Sequence, residues 1–252
     1  MKSEYATAFD LATSLKGRHL AIIGAGPSID FCISDIEECI NAGFIFFISH
    51  SMARAFISRF PLAKRIIFSV ENTTHNYLKG LSGEDLVLYI GSSHNLSRVQ
   101  VNRIFYFHLP GDDASSHKST LLKSPGTVLG IAMYFALYIQ KMTGIFCKIF
   151  LFGADFSYPD NRIYSRFIQY SRPFSRVYTR EGHELFAVIR KSTHIRLKAG
   201  QKIRCSHEMV KTKENVESML KSYDAPLALY DFSMLGLSED VVEKVVPSGA
   251  KF

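Results

Sequence analysis

Tryptophan is absent from this chain of 252 residues, cysteine occurs 4 times and proline 8 times. Each shortage removes a class of protein. Four cysteines at irregular spacing do not make a disulfide scaffold, and they fit a reduced, intracellular chain. No CxxC or HxxxH spacing occurs, and the close Cys205 and His207 lack the second pair that a metal site requires. No apolar run approaches the roughly 18 residues of a membrane span. The opening segment MKSEYATAFDLATSLKGRHL has an early Glu4 and Asp10 and no apolar stretch, so no signal peptide and a cytoplasmic location are expected. Repeats and low-complexity tracts are missing too.

What is present is aromatic and basic. There are 20 Phe and 12 Tyr, 47% of residues are hydrophobic, and 30 Lys and Arg outnumber 23 Asp and Glu for a net charge of +7. This composition builds a globular core and excludes disorder. The length suits one large domain, or a domain with an appendage. The positive charge fits nucleic acid, an anionic membrane surface or a phosphorylated small molecule.

Short apolar runs alternate with helical patterns. Strands are expected over His19–Ile23, Phe44–Ile48, Arg65–Ser69, Leu86–Ile90, Ile104–Leu109, Lys148–Phe152 and, more briefly, within Pro226–Phe232. Helices are expected over 5–16, Ser28–Cys39, Met52–Arg59, Thr127–Met142, Glu184–Arg190 and Glu214–Tyr223. Continuously apolar strands separated by helices predict a Rossmann-like, doubly wound α/β fold whose mostly parallel sheet is covered on both faces. Residues 1–155 read as a nucleotide-binding core. The polar, aromatic and basic residues 156–252 read as a lid or acceptor region completing the same domain.

Ligands of such sheets bind at the carboxyl ends of the strands. The first strand ends in Gly24-Ala25-Gly26-Pro27-Ser28. This reads either as a phosphate cradle at a helix N-terminus or as a tight turn with Ser28 as N-cap. Ile29 occupies the place of the third small residue of the dinucleotide fingerprint, and the Gly-Lys-Ser/Thr of a P-loop is missing. The strand ending at Phe152 runs into Gly153-Ala154-Asp155-Phe156-Ser157-Tyr158. There Asp155 would hold a ribose hydroxyl, a metal or an arginine, or cap a turn. Cys32 and Cys39 read as core residues. Asp112-Asp113 reads as a solvated turn or a Mg²⁺ ligand pair, and His117 and Lys118 as part of a lid.

GAGPS, the helix start Ser124-Pro125-Gly126-Thr127 and the Gly-x-Asp-Phe segment with tyrosines behind it resemble the MptE-like family. That family joins archaeal 6-hydroxymethylpterin pyrophosphokinases to bacterial flagellar motility accessory factors of glycosyltransferase type. The same skeleton is similar to bacterial sialyltransferases that use CMP-sialic acid. The resemblance runs from about Gly17 to Tyr164 and continues through Val210-Lys211-Thr212 and Leu229–Gly236. It implies that Gly24, Gly26 and Ser28 cradle the phosphate and ribose, that Gly126 and Thr127 approach base and sugar, and that Asp155 forms the pocket floor. It also implies that Tyr158 and Tyr164, six residues apart, bind the departing phosphate, with His183, or His194 behind it, as general base. His50 and Glu71 stand where the family carries Asn or Asp, and Pro125 replaces a serine of the sialyltransferases.

The resemblance implies a glycosyltransferase that moves a nucleotide-activated acidic sugar onto a glycan or protein acceptor with no metal required. The alternatives are a pyrophosphokinase using ATP and Mg²⁺ on a pterin alcohol, and a non-catalytic nucleotide- or partner-binding protein. Arg162, Arg166, Arg172, Arg176 and Arg180 lie among aromatics directly after the Asp155 segment. They read as a solvated face, or as a lid or acceptor surface for an anionic substrate, with peripheral contact to an anionic membrane also open. No nucleic-acid motif accompanies them, so no nucleic-acid partner is expected.

Overall fold

The structure is a computed structural model and describes residues 6–70, 78, 81–89, 91, 100–112, 120–145, 147–158, 165, 193–196, 202–233 and 236–249. The main sheet contains β1 (Ala6–Thr7), β2 (Leu20–Ile23), β3 (Ile45–Ser49), β4 (Arg65–Ser69), β5 (Ser82–Tyr89), β6 (Gln100–His108), β7 (Thr120–Leu121), β8 (Lys148–Phe152), β11 (Ala228–Asp231) and β12 (Glu243–Lys244). Its order is β1-β6-β5-β4-β3-β2-β8-β11-β12, with β7 also paired to β6. Every described pairing in it is parallel. The described helices are α1 (Ala8–Ser14), α2 (Ile33–Asn41), α3 (His50–Arg59), α4 (Val128–Thr143) and α5 (His207–Lys221). A separate antiparallel ribbon pairs β9 (Thr193–Arg196) with β10 (Lys202–Cys205). The fold is the expected Rossmann-like α/β architecture.

Period-two alternation divides each central strand between two layers. Leu20 and Ile22 pack with Phe47, Phe68 and Phe105 against α1, α4 and α5. Ala21 and Ile23 point the other way, with Phe46, Ile48 and Phe152, beneath α2 and α3. Both layers are dry, which is why these strands lack a polar face in the sequence. Phe47, Phe68 and Phe135 lock α4 onto the sheet, with ring centroids 4.9, 5.9 and 5.7 Å apart. The four cysteines are buried and unbridged. Burial pushes the thiols of Cys147 and Cys39 up to about 11 and about 12, as expected of inert core residues.

Four elements depart furthest from the sequence expectation. The helix over Ser28–Cys39 is divided into a 3₁₀ turn, Pro27–Phe31, and α2, with Cys32 between them at φ −104°. The Ile29 N–H bonds Gly26 O at 3.3 Å and the Cys32 N–H bonds Ile29 O at 3.0 Å, while the Ser28 N–H is drawn aside to Asp155. Strands β5 and β6 begin four residues earlier than their apolar runs, at Ser82 and Gln100. Those polar starts are held by ion pairs instead of by burial. Arg65 grips Glu84 at 3.0 and 2.7 Å, and Arg103 pairs with Asp85. Helix α5 begins at His207 rather than Glu214, because the Ser206 hydroxyl accepts the Met209 N–H at 3.2 Å and caps it. Among the described residues no helix is long and apolar enough to cross a membrane.

Candidate functional site

Strand order reverses at β2, which has β3 on one side and β8 on the other. A crevice opens outside the carboxyl ends of strands at such a point. Here it is a cavity of about 630 Å³. Its walls are the loops after β2 (Gly24–Gly26) and β8 (Gly153–Tyr158), the junction of β3 with α3 (Ser49–Ser51), and the first turns of α4 and α5.

The loops after β2 and β8 run against one another. The Gly24 N–H bonds Phe152 O at 2.8 Å and the Gly26 N–H bonds Gly153 O at 3.0 Å, prolonging the β2–β8 ladder. A Cβ on Gly24 would lie 2.4 Å from Gly153 O, and one on Gly26 would lie 2.3 Å from Asp155 Oδ2. Glycine is required at both places by loop-to-loop contact before any ligand arrives.

Asp155 is 2% exposed. Its Oδ2 accepts the Ser28 N–H at 2.8 Å. Its Oδ1 has no hydrogen-bond partner among the described residues, although Asp155 lines the cavity. Burial raises its pKa from 3.8 to about 6; hydrogen bonding from Ser28 opposes the rise, Asp231 adds to it and Lys244 opposes it. Next to it, the Ala154 N–H donates to Ser233 Oγ at 2.7 Å. Phe156 takes φ +47°, in the left-handed region that non-glycine residues rarely occupy. It is held there between the Asp155 contacts and Tyr158, whose N–H bonds Arg204 O on β10 at 2.8 Å.

Helix N-termini supply the other polar character. Ser49, Thr127 and Ser206 are the N-caps of α3, α4 and α5, and all three line the cavity. First-turn N–H groups and the aligned peptide dipoles favour an anion in front of each. The cavity also receives the buried His50 from α3 and Lys211 and Glu208 from α5.

Seven residues expected at the site are brought together here: Gly24, Gly26, His50, Gly126, Thr127, Asp155 and Tyr158 line one space. Ser28 lies beneath it, buried, with its N–H committed to Asp155 rather than presented to a ligand. His194 stands on β9 in register with Arg204. Glu71, Tyr164 and His183 lie outside the described residues, as do Asp113, His117, Lys118, Arg162, Arg166, Arg172, Arg176 and Arg180. Asp112 serves as a turn cap, accepting the Leu109 N–H at 2.7 Å and the Tyr89 hydroxyl at 3.1 Å. The wall formed by Ser206, Met209, Lys211, Thr212 and Asn215 was missed in the sequence apart from Lys211 and Thr212. The signal for it was Ser206 as an N-cap two residues before the acidic Glu208.

No family model and no curated protein matches the chain. Among solved structures, it superimposes on a Maf glycosyltransferase from Magnetospirillum magneticum AMB-1 with a TM-score of 0.61 and 13% identity. The two share a fold. The match covers 94% of this chain and 35% of that one, so the chain spans about a third of the neighbour's length.

Proposed function

We propose that the chain is the donor-binding unit of a glycosyltransferase that uses a nucleotide-activated acidic sugar of the CMP-sialic or nonulosonic type. The observation that carries this reading is the switch-point cavity, where the N-termini of α3, α4 and α5 and a buried, half-partnered carboxylate meet in one space. A volume of about 630 Å³ suits a nucleotide bearing a sugar. The helix N-termini receive the phosphate. Asp155 Oδ1 accepts a ligand hydroxyl, which gives the orphaned oxygen its partner. Fold kinship with a glycosyltransferase supports the same class.

In this reading the acceptor hydroxyl oxygen forms a bond to the anomeric carbon as the bond from that carbon to the phosphate oxygen breaks. Its proton passes to His183, with His194 as the second choice of base, and the nucleoside monophosphate leaves. Tyr158 and Tyr164 donate hydrogen bonds to the charge that develops on the leaving phosphate. The acceptor is a glycan or protein hydroxyl, and the activated donor places the reaction in the cytoplasm, with peripheral attachment to the inner membrane face compatible with the basic charge.

A thermal-shift panel of CMP, CDP, ATP and GTP, each with and without Mg²⁺, tests the reading. CMP without metal is expected to stabilise the fold, by about 2.7 kcal/mol at 100 times its dissociation constant. Stabilisation by ATP with Mg²⁺ alone would point to a pyrophosphokinase, and a flat panel to a non-catalytic protein. Y158F/Y164F is expected to slow transfer from a CMP-sugar at least tenfold, in line with the loss of donors to a transition-state anion. Unchanged transfer would refute the assigned tyrosine roles.

A further inference from the structure

A second cavity, of about 540 Å³, lies between α4 and α5. Tyr134, Tyr138 and Tyr223 line it together with the exposed Lys123 and Lys141, and none of the described residues that line it is Asp or Glu. It adjoins the switch-point cavity. Lys123, Ser124 and Pro125 line the second space, the next two residues, Gly126 and Thr127, line the first, and Asn215 lines both.

Two of its rings are fixed in place. Tyr138 stacks on Phe135 with centroids 5.9 Å apart and an interplanar angle of 17°. The Tyr223 hydroxyl donates to Leu137 O at 3.3 Å. Burial raises both phenols above their ordinary range, which keeps them uncharged at physiological pH. Fixed aromatic faces suit the C–H face of a sugar ring, the hydroxyls of Ser218 and Ser222 suit its polar edge, and the two ammonium groups suit a carboxylate or sulfate.

We propose that this groove binds an acidic saccharide, which serves as the acceptor and reaches over the 123–127 segment into the donor cavity. The role of acceptor rests on the glycosyltransferase reading, whereas the binding of an acidic saccharide does not.

The test uses a uronic-acid tetrasaccharide and its neutral counterpart, titrated calorimetrically into the full chain, K123E/K141E, K123R/K141R and the control K16E/K64E. The control makes the same charge change at two other exposed lysines. The acidic ligand is expected to bind wild type and K123R/K141R alike and to lose about tenfold or more in K123E/K141E, against about twofold or less in the control. The neutral ligand is expected to bind more weakly than the acidic one. Equal losses in the two charge reversals, equal binding of the two saccharides, or no binding at all would overturn the groove. The CMP thermal shift of K123E/K141E is read in parallel and is expected to match wild type. CMP binding without a saccharide response defeats the groove alone. A saccharide response lost in K123E/K141E on a chain that binds no nucleotide defeats the transferase reading and leaves the saccharide site standing.

Discussion

Asp155→Asn separates what the cavity floor costs from what it does. The carboxyl group is 2% exposed, and its pKa rises from 3.8 to about 6, chiefly through burial. Below pH 3.8 it is protonated in both the folded and unfolded chains and adds no pH dependence. Between those values the unfolded chain ionises while the folded chain holds its proton, so the free energy of unfolding falls as pH rises. Above pH 6 the loss is complete, at about 3 kcal/mol for a rise of this size. Asparagine removes the titration. Its amide oxygen keeps the Ser28 N–H bond, and its NH₂ replaces the orphaned Oδ1. Wild type and D155N are compared by urea denaturation from pH 3.5 to 7.5, followed by circular dichroism because the chain has no tryptophan. Wild-type stability minus that of D155N is expected to fall by about 3 kcal/mol across that range. A flat difference, or one that rises with pH, would refute the reasoning, since either would mean that the buried carboxylate is fully compensated. D155N is also expected to bind CMP at least tenfold more weakly, because a charged acceptor is replaced by a donor.

G26A places a methyl group 2.3 Å from Asp155 Oδ2 and 2.6 Å from Gly153 O. A loss of about 1–3 kcal/mol is expected from overpacking, read by urea denaturation, with the CMP shift lost as well; wild-type stability would show that the two loops do not depend on each other. Lys244→Met strips Asp231, fully buried, of an ammonium 2.7 Å away and leaves it the N–H groups of Ser233 and Leu237. A cost of about 3 kcal/mol or more is expected for an uncompensated buried charge, with partial recovery in D231N/K244M. Lys244 also lowers the Asp155 pKa, so the pH step seen with D155N should move upward in this background.

Strands were legible where burial on both faces and a turn residue coincided. Arg65–Ser69 and Lys148–Phe152 match β4 and β8 at both ends, because an apolar run closes against polar neighbours or Gly153. The early parts of β5 and β6 were not legible. Their hydrogen-bond ladder continues through Glu84, Asp85 and Arg103, with Glu84 paired to Arg65 of β4 and Asp85 to Arg103 of β6 across the strands, and an apolar pattern cannot register that. The β2 and β8 loops stood out by glycine and aspartate. The α5 wall did not, because an amphipathic helix start that lines a cavity has the same composition as one that lines solvent.

The polar chain beneath the cavity suggests why a fold would retain a carboxylate that destabilises it. Asp155 binds the Ser28 N–H and so ties the loop after β8 to the loop after β2. The Ala154 N–H binds Ser233 Oγ and ties the same loop to the one after β11, where Asp231 gathers Ser233, Leu237 and Lys244. Three strand ends are thereby fixed by buried polar contacts, which are directional as apolar packing is not and so set the loop positions closely. The glycines that resemble a phosphate grip are consumed in making this junction. In the proposed reading anion binding falls to the first turns of α3, α4 and α5, and specificity to Asp155 Oδ1, the single buried carboxylate oxygen at the junction that the described residues leave unpaired. A structural junction would do better with asparagine at 155. The free energy spent on ionising an aspartate there makes sense when a ligand hydroxyl completes its bonding.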